Sequence, residues 1–288
     1  MPVNDDLGIR MKTYYEQIPK IKLMRRTPVM IRIDGKAFHT FTKGFQKPFD
    51  EVLIKSMQET TKYLCENIQG CVLGYTQSDE ITLVLVDYHN LETAAWFDYE
   101  VQKMCSIAAS MATMSFNRLF ARYVDAFSDF LKSSGANADE EEKNRLLLTY
   151  QKAVEKGAMF DARVFNIPKE EVTNCIYWRQ LDAARNSVQM VGQANFTHKE
   201  LQNKSCNKIQ DMLIEQKGIN WNNFPTCQKR GTCVVKERYL PVGTETKCSE
   251  GDNKEPEYRT RWKIDTEIPV FKGEDRDYVE RLVMVEGQ

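Results

Sequence analysis

The sequence predicts an α/β (α+β) fold, in which one antiparallel sheet carries helices on one face. Three observations lead to this prediction. Short apolar runs rich in β-formers alternate with helical patterns between residues 29 and 168. Two of these runs flank a short polar turn, which is typical of a hairpin. The 288 residues are 42 % hydrophobic and 28 % charged, so the chain has the composition and length to bury a sizeable core.

The first predicted strand covers residues 29–33 and stops at an Asp-Gly turn, Asp34-Gly35. A helix follows, and Asp50 is placed to cap its first turn. Its buried face is predicted from apolar and small residues spaced by three and four, namely Leu53, Met57, Thr60 and Leu64.

The hairpin joins two β-rich runs, residues 71–75 and 81–86. Their connection, residues 76–80, carries Asp79 and Glu80, which we therefore expect at the hairpin tip.

A long helix and another strand complete the pattern. Apolar residues spaced by three and four between residues 101 and 119 predict the helix, and residues 160–165 predict the strand. Pro168 is expected to begin a further helix. The order βαββαβ is typical of a ferredoxin-like or palm-type sheet.

The domain organisation follows from these elements. Residues 1–240 are predicted to form the palm-type domain, with a polar helical hairpin inserted at about residues 122–157. Residues 241–288 are charged and punctuated by Gly and Pro, which indicates a peripheral C-terminal extension.

Composition excludes several classes of protein. No apolar run is long enough to span a bilayer and the N-terminus lacks a signal-peptide pattern, so we expect a cytoplasmic protein without membrane contact. The eight cysteines form no Cys-x-x-Cys pair, which favours reduced thiols; Cys227 and Cys233 lack the further ligands of a zinc site. Because the formal net charge is −1, RNA binding would need a local basic patch.

The topology places Asp34 beside the hairpin tip with Asp79 and Glu80. Acidic side chains on adjacent strands supply the hard oxygen ligands of Mg²⁺, and two such ions can activate a hydroxyl and stabilise a leaving phosphate. The alternative is that these acids only cap turns. The following segment, residues 34–39, offers a tight turn, backbone N–H groups, a lysine and a histidine, as a phosphate-binding loop does.

Two further segments are candidates for contacts with phosphate. Arg179, Asp182 and Arg185 or Asn186 share one helix face, where internal salt bridges or a bound phosphate would satisfy them. A capping box at Thr197 predicts a helix whose first turns carry Lys199, Lys204 and Lys208, either as a solvated face or as an RNA-binding strip.

The chain resembles the tRNA-histidine guanylyltransferase superfamily, and in particular its guanylyltransferase-like branch. The matching blocks occur in the same order over roughly residues 5 to 238. They are Arg32-Ile33-Asp34-Gly35-Lys36-Ala37-Phe38-His39, Gly74-Tyr75-Thr76-Gln77-Ser78-Asp79-Glu80, Phe160-Asp161-Ala162-Arg163, Trp178-Arg179-Gln180 with Asp182 and Asn186, and Lys229-Arg230-Gly231-Thr232.

The resemblance implies a palm fold, a homotetramer, and catalysis with two Mg²⁺ ions held by Asp34, Asp79 and the Gly35 carbonyl, with Glu80 as a further ligand or base. The nucleoside triphosphate, ATP or GTP, would contact Asp34, Gly35, Lys36, Ala37, Phe38, His39, Ser78 and Asp79. The tRNA 5′-phosphate would first be activated and then attacked by the 3′-hydroxyl of an incoming nucleotide.

One departure from the family pattern bears on the substrate. Enzymes dedicated to tRNA-histidine carry His-Ile-Asn-Asn where this chain has Ala184-Arg185-Asn186-Ser187. This favours template-dependent 3′→5′ repair of 5′-truncated tRNA. Alternatives are addition of the extra 5′ G to tRNA-histidine, a palm-type enzyme acting on free nucleotides, and a non-catalytic tRNA-binding protein.

Overall fold

A computed structural model of the protein describes residues 6–133, 140–240 and 258–284, and the features below belong to these residues. Six strands form one antiparallel sheet in the order β4-β1-β3-β2-β5-β6. The strands are β1 (Val29–Gly35), β2 (Cys71–Gln77), β3 (Glu80–Leu85), β4 (Phe160–Asn166), β5 (Thr232–Tyr239) and β6 (Arg259–Asp265). The first four have the order expected of a ferredoxin-like βαββαβ unit, so the predicted fold class is confirmed.

The helices are α1 (Asp6–Met11), α2 (Phe38–Phe41), α3 (Glu51–Asn67), α4 (Val101–Ser133), α5 (Glu140–Lys156), α6 (Lys169–Asn195), α7 (His198–Leu201), α8 (Cys206–Lys217), α9 (Thr226–Arg230) and α10 (Asp277–Val283). As predicted, α3 begins after Asp50, whose carboxylate accepts a hydrogen bond from the Leu53 N–H at 2.9 Å.

Helices α3 and α4 cover one face of the sheet. Alternate residues of β1, such as Ile31 and Ile33, point to this face and pack against Leu64 of α3 and Phe116 of α4, all fully buried. The predicted placement of helices on one face therefore holds for the two helices of the βαββαβ unit.

It does not hold for the whole chain, because α6 and α10 pack on the opposite face. Met30 and Val84 point there and are fully buried against Ile176 of α6 and Val279 of α10. The two faces of a strand alternate in side-chain direction, and both sets of central-strand residues here are apolar, so the sheet needs a cover on each side.

The inserted helical hairpin at about residues 122–157 is present, with a correction to its character. Its first arm is the second half of α4, which runs without a break to Ser133, and its second arm is α5. The hairpin contributes to the core, since Val124, Tyr150 and Ala153 are buried. The acidic cluster that begins at Asp139 lies partly outside the described residues.

The C-terminal stretch is not a peripheral extension, in contrast to the prediction. Strand β6 extends the sheet beside β5, and Phe271, Val279 and Val283 are buried in the core beneath α6. The prediction failed because the stretch contains Gly and Pro, which indicated an irregular segment, although it also contains a short strand and a short helix that are apolar on one side. Residues 241–257 and 285–288 lie outside the described part.

Within the described residues, no helix combines the length and apolarity needed to cross a membrane.

Candidate active site

Two neighbouring strands bring the predicted acidic residues together. Asp34 near the end of β1 is paired with Glu80 at the start of β3, so their side chains share one face of the sheet. Asp79 lies in the two-residue turn between β2 and β3, and its carbonyl accepts a hydrogen bond from the Gly35 N–H at 3.1 Å. Ser78 in the same turn adopts a left-handed backbone, with φ of 49°. The main chain thus fixes Asp34 and Asp79 side by side.

Asp34 and Asp79 have no basic partner among the ion pairs of the described residues. The Asp79 carboxylate accepts a hydrogen bond from the Ser78 hydroxyl at 3.1 Å. Burial, and to a lesser degree the negative charges of Asp34 and Glu80, raise the pKa of Asp79 above its usual range. Two adjacent carboxylates without a compensating positive charge are a site prepared for a cation.

Glu80 is different, because two arginines neutralise it. Its two oxygens accept hydrogen bonds from Arg179 at 2.6 and 2.8 Å, and one of them also accepts from Arg32 at 2.7 Å. Both Glu80 and Arg179 are about 95 % buried. Because both Glu80 oxygens are engaged by arginines, the geometry favours a structural role for Glu80, and its direct catalytic role stays a prediction.

The segment after Asp34 is shaped by close packing around Gly35. A Cβ at Gly35 would lie 2.2 Å from the Phe38 ring, so only glycine fits there. Ala37 adopts a left-handed backbone with φ of 54°, which turns the chain into the short helix α2. Phe38 is anchored in the core against Phe116 and Phe160. The turn is therefore held by aromatic packing beneath it.

A cavity of about 490 Å³ opens beside this turn. Six predicted nucleotide-binding residues line it, namely Gly35, Ala37, Phe38, His39, Ser78 and Asp79. Two predicted residues, Asp34 and Lys36, are not part of the lining; Lys36 is exposed, and its N–H donates to the Met159 carbonyl at 2.8 Å. The volume is in the range of small-ligand sites.

The remaining walls of the cavity were not predicted. They consist of Thr42, Phe45, Gln46, Lys47, Pro48, Asp50, Leu53, Met190 and Gln193. Lys47 and Pro48 stand only a few positions after the predicted loop, and a lysine beside a turn-forming proline was a usable signal. Met190 and Gln193 come from α6, about 140 residues further along the chain, and nothing local in the sequence connects them with the loop.

The Asp50 carboxylate organises one side of the cavity. Besides capping α3, it accepts hydrogen bonds from the Gln46 N–H at 3.0 Å and from the Tyr150 hydroxyl at 2.6 Å. Tyr150 belongs to α5 of the helical hairpin, and its ring packs on Phe45 and Phe120. The hairpin therefore supports the segment that carries Lys47.

The polar cluster on α6 forms internal salt bridges. Arg179 also donates to Asp182 at 2.9 Å, and Asp182 receives further hydrogen bonds from Arg185 and Asn186. The Arg179 guanidinium is buried and bonded to Glu80 and Asp182, which favours the salt-bridge alternative, and its contact with tRNA stays a prediction. Arg185 remains two-thirds exposed and can still reach a ligand.

Trp178 lies on the exposed side of the same helix. The indole is 54 % exposed, with the guanidinium groups of Arg32 and Arg179 over its ring at 5.7 and 4.4 Å from the centroid. Arg32 is two residues from Asp34, so this ring stands near the acidic pair. The sequence offered this tryptophan as part of a matching block but gave no sign of its exposure.

The predicted lysine helix is divided in two. The capping box at Thr197 is present, but α7 ends at Leu201, and a second helix, α8, begins after Ser205. Lys199 therefore lies on α7, Lys204 in the connection and Lys208 on α8. All three lysines are exposed, as a solvated face or an RNA-binding strip requires.

The block of residues 229–232 has a structural role. Gly231 has a φ of 86°, and a Cβ there would lie 2.5 Å from the Thr76 carbonyl oxygen. Lys229 is buried and donates to the Asn222 carbonyl at 2.6 Å, and burial lowers its pKa. This block therefore packs against β2, next to the turn that carries Asp79.

No group of three or more His, Cys, Asp or Glu side chains in the described residues is arranged to hold a metal ion, so Cys227 and Cys233 do not form a zinc site. The acidic pair offers two carboxylates, to which the family resemblance would add the Gly35 carbonyl. Mg²⁺ is commonly bound by one or two carboxylates, with water and substrate phosphates completing its shell. The donor set therefore fits Mg²⁺ and does not fit a closed structural zinc.

Comparisons with known proteins identify relatives of the chain. The family model described as tRNAHis guanylyltransferase matches residues 9–168. A bacterial tRNA(His) guanylyltransferase-like protein solved in complex with ATP is 40 % identical, covers 97 % of this chain and 100 % of its own, and superposes with a TM-score of 0.74. A second structure of such a protein, in complex with GTP, is 39 % identical over 98 % and 100 % of the two chains, with a TM-score of 0.71. The tRNA(His) guanylyltransferase of Saccharomyces cerevisiae is 26 % identical over 73 % of this chain and 82 % of its own.

Proposed function

The chain belongs to the tRNA(His) guanylyltransferase family and is a nucleotidyltransferase, and from this premise we propose that it adds nucleotides to the 5′ end of 5′-truncated tRNA, in the 3′→5′ direction and as directed by the opposite strand.

One observation carries the proposal: Asp34 and Asp79 are an uncompensated pair of carboxylates, and Asp79 lines a cavity of about 490 Å³. Similar proteins have been solved with ATP and with GTP. A triphosphate in this cavity would bring its oxygens close to the acidic pair. A cation between them would be needed to neutralise the two sets of negative charge.

Mg²⁺ bound by Asp34, Asp79 and the Gly35 carbonyl would neutralise phosphate charge and favour attack at phosphorus. The chain's own groups have separate tasks. His39 and Lys47 present polar side chains to the cavity, and the exposed hydroxyl of Ser78 stands beside the Asp79 carboxylate.

Two transfers would take place at this site. In the first, the tRNA 5′-phosphate oxygen attacks the α-phosphorus of ATP or GTP, and pyrophosphate leaves. In the second, the 3′-hydroxyl of an incoming nucleotide attacks the activated 5′-phosphorus, and the nucleoside monophosphate leaves. Both are in-line displacements at phosphorus, which positioning and charge neutralisation accelerate.

Trp178 and Arg185 supply a surface for the RNA end. An exposed indole can stack on an unpaired base, and a guanidinium can pair with phosphate. Because Trp178 stands over Arg32, the stacked nucleotide would lie close to Asp34.

Residues 184–187 support repair over dedicated addition of G to tRNA-histidine. At the position of the family's final asparagine, Ser187 is buried and its hydroxyl accepts a hydrogen bond from the Trp221 indole at 2.9 Å. It holds α6 to a neighbouring segment and is not open to a nucleotide.

The test is nucleotide addition to a tRNA lacking its 5′ nucleotide, with Mg²⁺ and each triphosphate in turn. We expect the added base to pair with the opposite 3′-strand base, and to change when that base is changed. Addition of G alone, to intact tRNA-histidine alone, would instead establish the dedicated activity. If neither tRNA received a nucleotide, the remaining alternatives would be an enzyme that acts on free nucleotides or a non-catalytic tRNA-binding protein.

A further inference from the structure

The last two strands form a basic ribbon at the edge of the sheet. Strand β5 pairs with β2 only through Thr232–Val235, and beyond Val235 it pairs with β6 alone. We define the basic ribbon as residues 236–239 of β5 with residues 259–263 of β6. Most of its side chains are exposed.

Positive charge is concentrated in this ribbon. It carries five basic residues, Lys236, Arg238, Arg259, Arg261 and Lys263, and one acidic residue, Glu237, although the whole chain has a net charge of −1. Glu237 pairs with Arg261 at 2.6 Å and Lys263 at 3.6 Å. Among the described residues, the other three cations have no carboxylate partner.

Aromatic rings alternate with these cations. The Lys236 ammonium lies over the Trp262 ring at 5.1 Å, and the guanidinium groups of Arg238 and Arg261 lie over Tyr258 and Tyr239 at 5.1 and 4.6 Å. A ring beneath a cation fixes its position without neutralising its charge. The cations are therefore ordered but still available to an anion.

The register places the uncompensated cations on one face. Lys236 pairs with Trp262 and Arg238 with Thr260, so these residues point to the same side, whereas Glu237 points to the other side with Arg261. This first face presents two cations and an aromatic ring without a carboxylate of the ribbon.

Interleaved basic and aromatic side chains on a flat surface fit the phosphate backbone of RNA. The wide, shallow minor groove of an RNA helix admits such a surface, and a lipid bilayer would need an apolar face that the ribbon lacks. We propose that the basic ribbon contacts the phosphate backbone of the tRNA body, an inference that rests on the proposed function.

The contact is remote from the chemistry. Thr232, where β5 begins, is paired with Thr76 near the turn that carries Asp79, and β5 runs from there toward the opposite end of the sheet. Lys236 and Arg238 lie four and six residues further along β5, which corresponds to about 13 and 20 Å of strand. The ribbon therefore acts on tRNA affinity and leaves the transfer step unchanged.

The experiment measures tRNA affinity against salt concentration for the wild type and for the double variant Lys236→Gln/Arg238→Gln, with a 5′-truncated tRNA transcript as the probe. The slope of log K against log salt is negative, and loss of two phosphate contacts is expected to reduce its magnitude by about 2, near 1 for each contact. The KM for tRNA should rise about tenfold. ATP affinity, kcat at saturating tRNA and the melting temperature should stay at wild-type values.

The matched control is Lys152→Gln/Lys156→Gln, which removes two exposed lysines from α5. It should leave the slope near that of the wild type. Equal slopes for the ribbon variant and the wild type would overturn the inference about the ribbon. If the wild type still transferred nucleotides in that case, the proposed function would stand. A changed molar mass with an unchanged slope would also overturn it, because the ribbon would then bind a second copy of the chain. A wild type that neither binds tRNA nor transfers nucleotides would overturn both.

Discussion

Asp34, Asp79 and Glu80 meet at one end of the neighbouring strands β1 and β3, and their partners divide them into two kinds. Glu80 is buried between two arginines, whereas Asp34 and Asp79 have no basic partner among the described residues. Asp34 and Asp79 are half-buried, and charged groups that lose water without gaining a partner are typical of functional sites. We therefore place the chemistry on the two aspartates and the structural role on Glu80.

The first residue-scale prediction concerns Asp79→Asn. Because the pKa of Asp79 is raised in the folded protein, ionisation of this carboxyl group destabilises the fold. The free energy of unfolding therefore falls as the pH rises from 3.8, the ordinary pKa, through the raised pKa of the folded protein. Without metal at pH 7, the variant should melt at a higher temperature than the wild type, by about 2–4 °C for each kcal/mol gained. The difference should shrink as pH approaches 4, and turnover should be abolished.

Asp129→Asn on α4 is the matched control, because Asp129 is exposed and pairs with Lys132. Mg²⁺ should raise the melting temperature of the wild type and of this control but not that of Asp79→Asn. A folded Asp79→Asn protein that retained activity would refute the assignment of Asp79 to the metal.

The second prediction concerns Glu80→Gln. Removing the charge leaves Arg179 buried with Asp182 as its remaining partner, and such losses cost about 3 kcal/mol. Chemical denaturation should show this loss, whereas Arg163→Gln, in an exposed pair, should change stability by less than about 0.5 kcal/mol. A Glu80→Gln protein that was as stable as the wild type but inactive would instead mean that Glu80 takes a direct part in catalysis.

At this scale the sequence was informative where chemistry is local. Asp34, Asp79 and the loop of residues 34–39 were found because their residue types are adjacent in the sequence. The pairing of Arg179 with Glu80 joins residues 99 positions apart, so nothing in the sequence indicated it, and the roles predicted for the two residues did not take it into account.

At the scale of elements, the helical hairpin supports the cavity beside the Gly35 turn, where we propose that the nucleotide binds. Tyr150 of α5 reaches across to Asp50, whose carboxylate also holds the Gln46 N–H. The hairpin was predicted from its polar helical pattern, but its purpose was not, because the contact joins residues 100 positions apart.

Tyr150→Phe should therefore weaken ATP binding. The ring can keep its packing on Phe45 and Phe120, while Asp50 loses a hydrogen bond worth about 1.5–3 kcal/mol to a charged group. Calorimetry should show ATP affinity lowered several-fold, with Tyr123→Phe on α4 as the control. Unchanged ATP affinity in Tyr150→Phe would mean that the hairpin does not support the cavity.

The end of the chain is the second element whose role is testable. Phe271 is fully buried against Tyr75 and Tyr278, so Phe271→Ala should cost about 3–5 kcal/mol of unfolding free energy. A peripheral extension, as the composition suggested, would show less than about 0.5 kcal/mol. The composition was misleading because charged residues of β6 face outward while residues after it fill the core.

At the scale of the whole molecule, exposed apolar residues point to assembly. Helix α1 and the following π-helical turn, Lys12–Glu16, bury none of their residues, and Tyr15, Ile18 and Met24 are 65 %, 74 % and 69 % exposed. Apolar patches of this kind mark interfaces. We propose a homotetramer, as the family resemblance implies.

Light scattering should accordingly give a molar mass four times that of the 33.5 kDa chain. Replacing Tyr15 and Ile18 by Glu should reduce this mass if the segment lies in an interface. A monomer in the wild type would contradict the proposed assembly and leave the apolar segment for another partner.

The fold class was predictable from the whole chain because β-rich and helical patterns alternate in the order of a ferredoxin-like unit. The covering of both faces was not, since a pattern of apolar residues shows that a strand is buried without showing which helix buries it.

The most direct test of reverse-direction transfer follows one phosphorus atom. A 5′-truncated tRNA is labelled at its 5′-phosphate and incubated with Mg²⁺, ATP and the nucleotide that pairs with the opposite base. We expect the label to become resistant to phosphatase and to be recovered in a mononucleotide after nuclease digestion, because attack by the incoming 3′-hydroxyl places it in an internal phosphodiester, whereas the activated 5′ end would keep it in a pyrophosphate linkage. We expect Asp79→Asn to leave the label sensitive to phosphatase. A label that stays removable while the tRNA lengthens at its 3′ end would contradict the account.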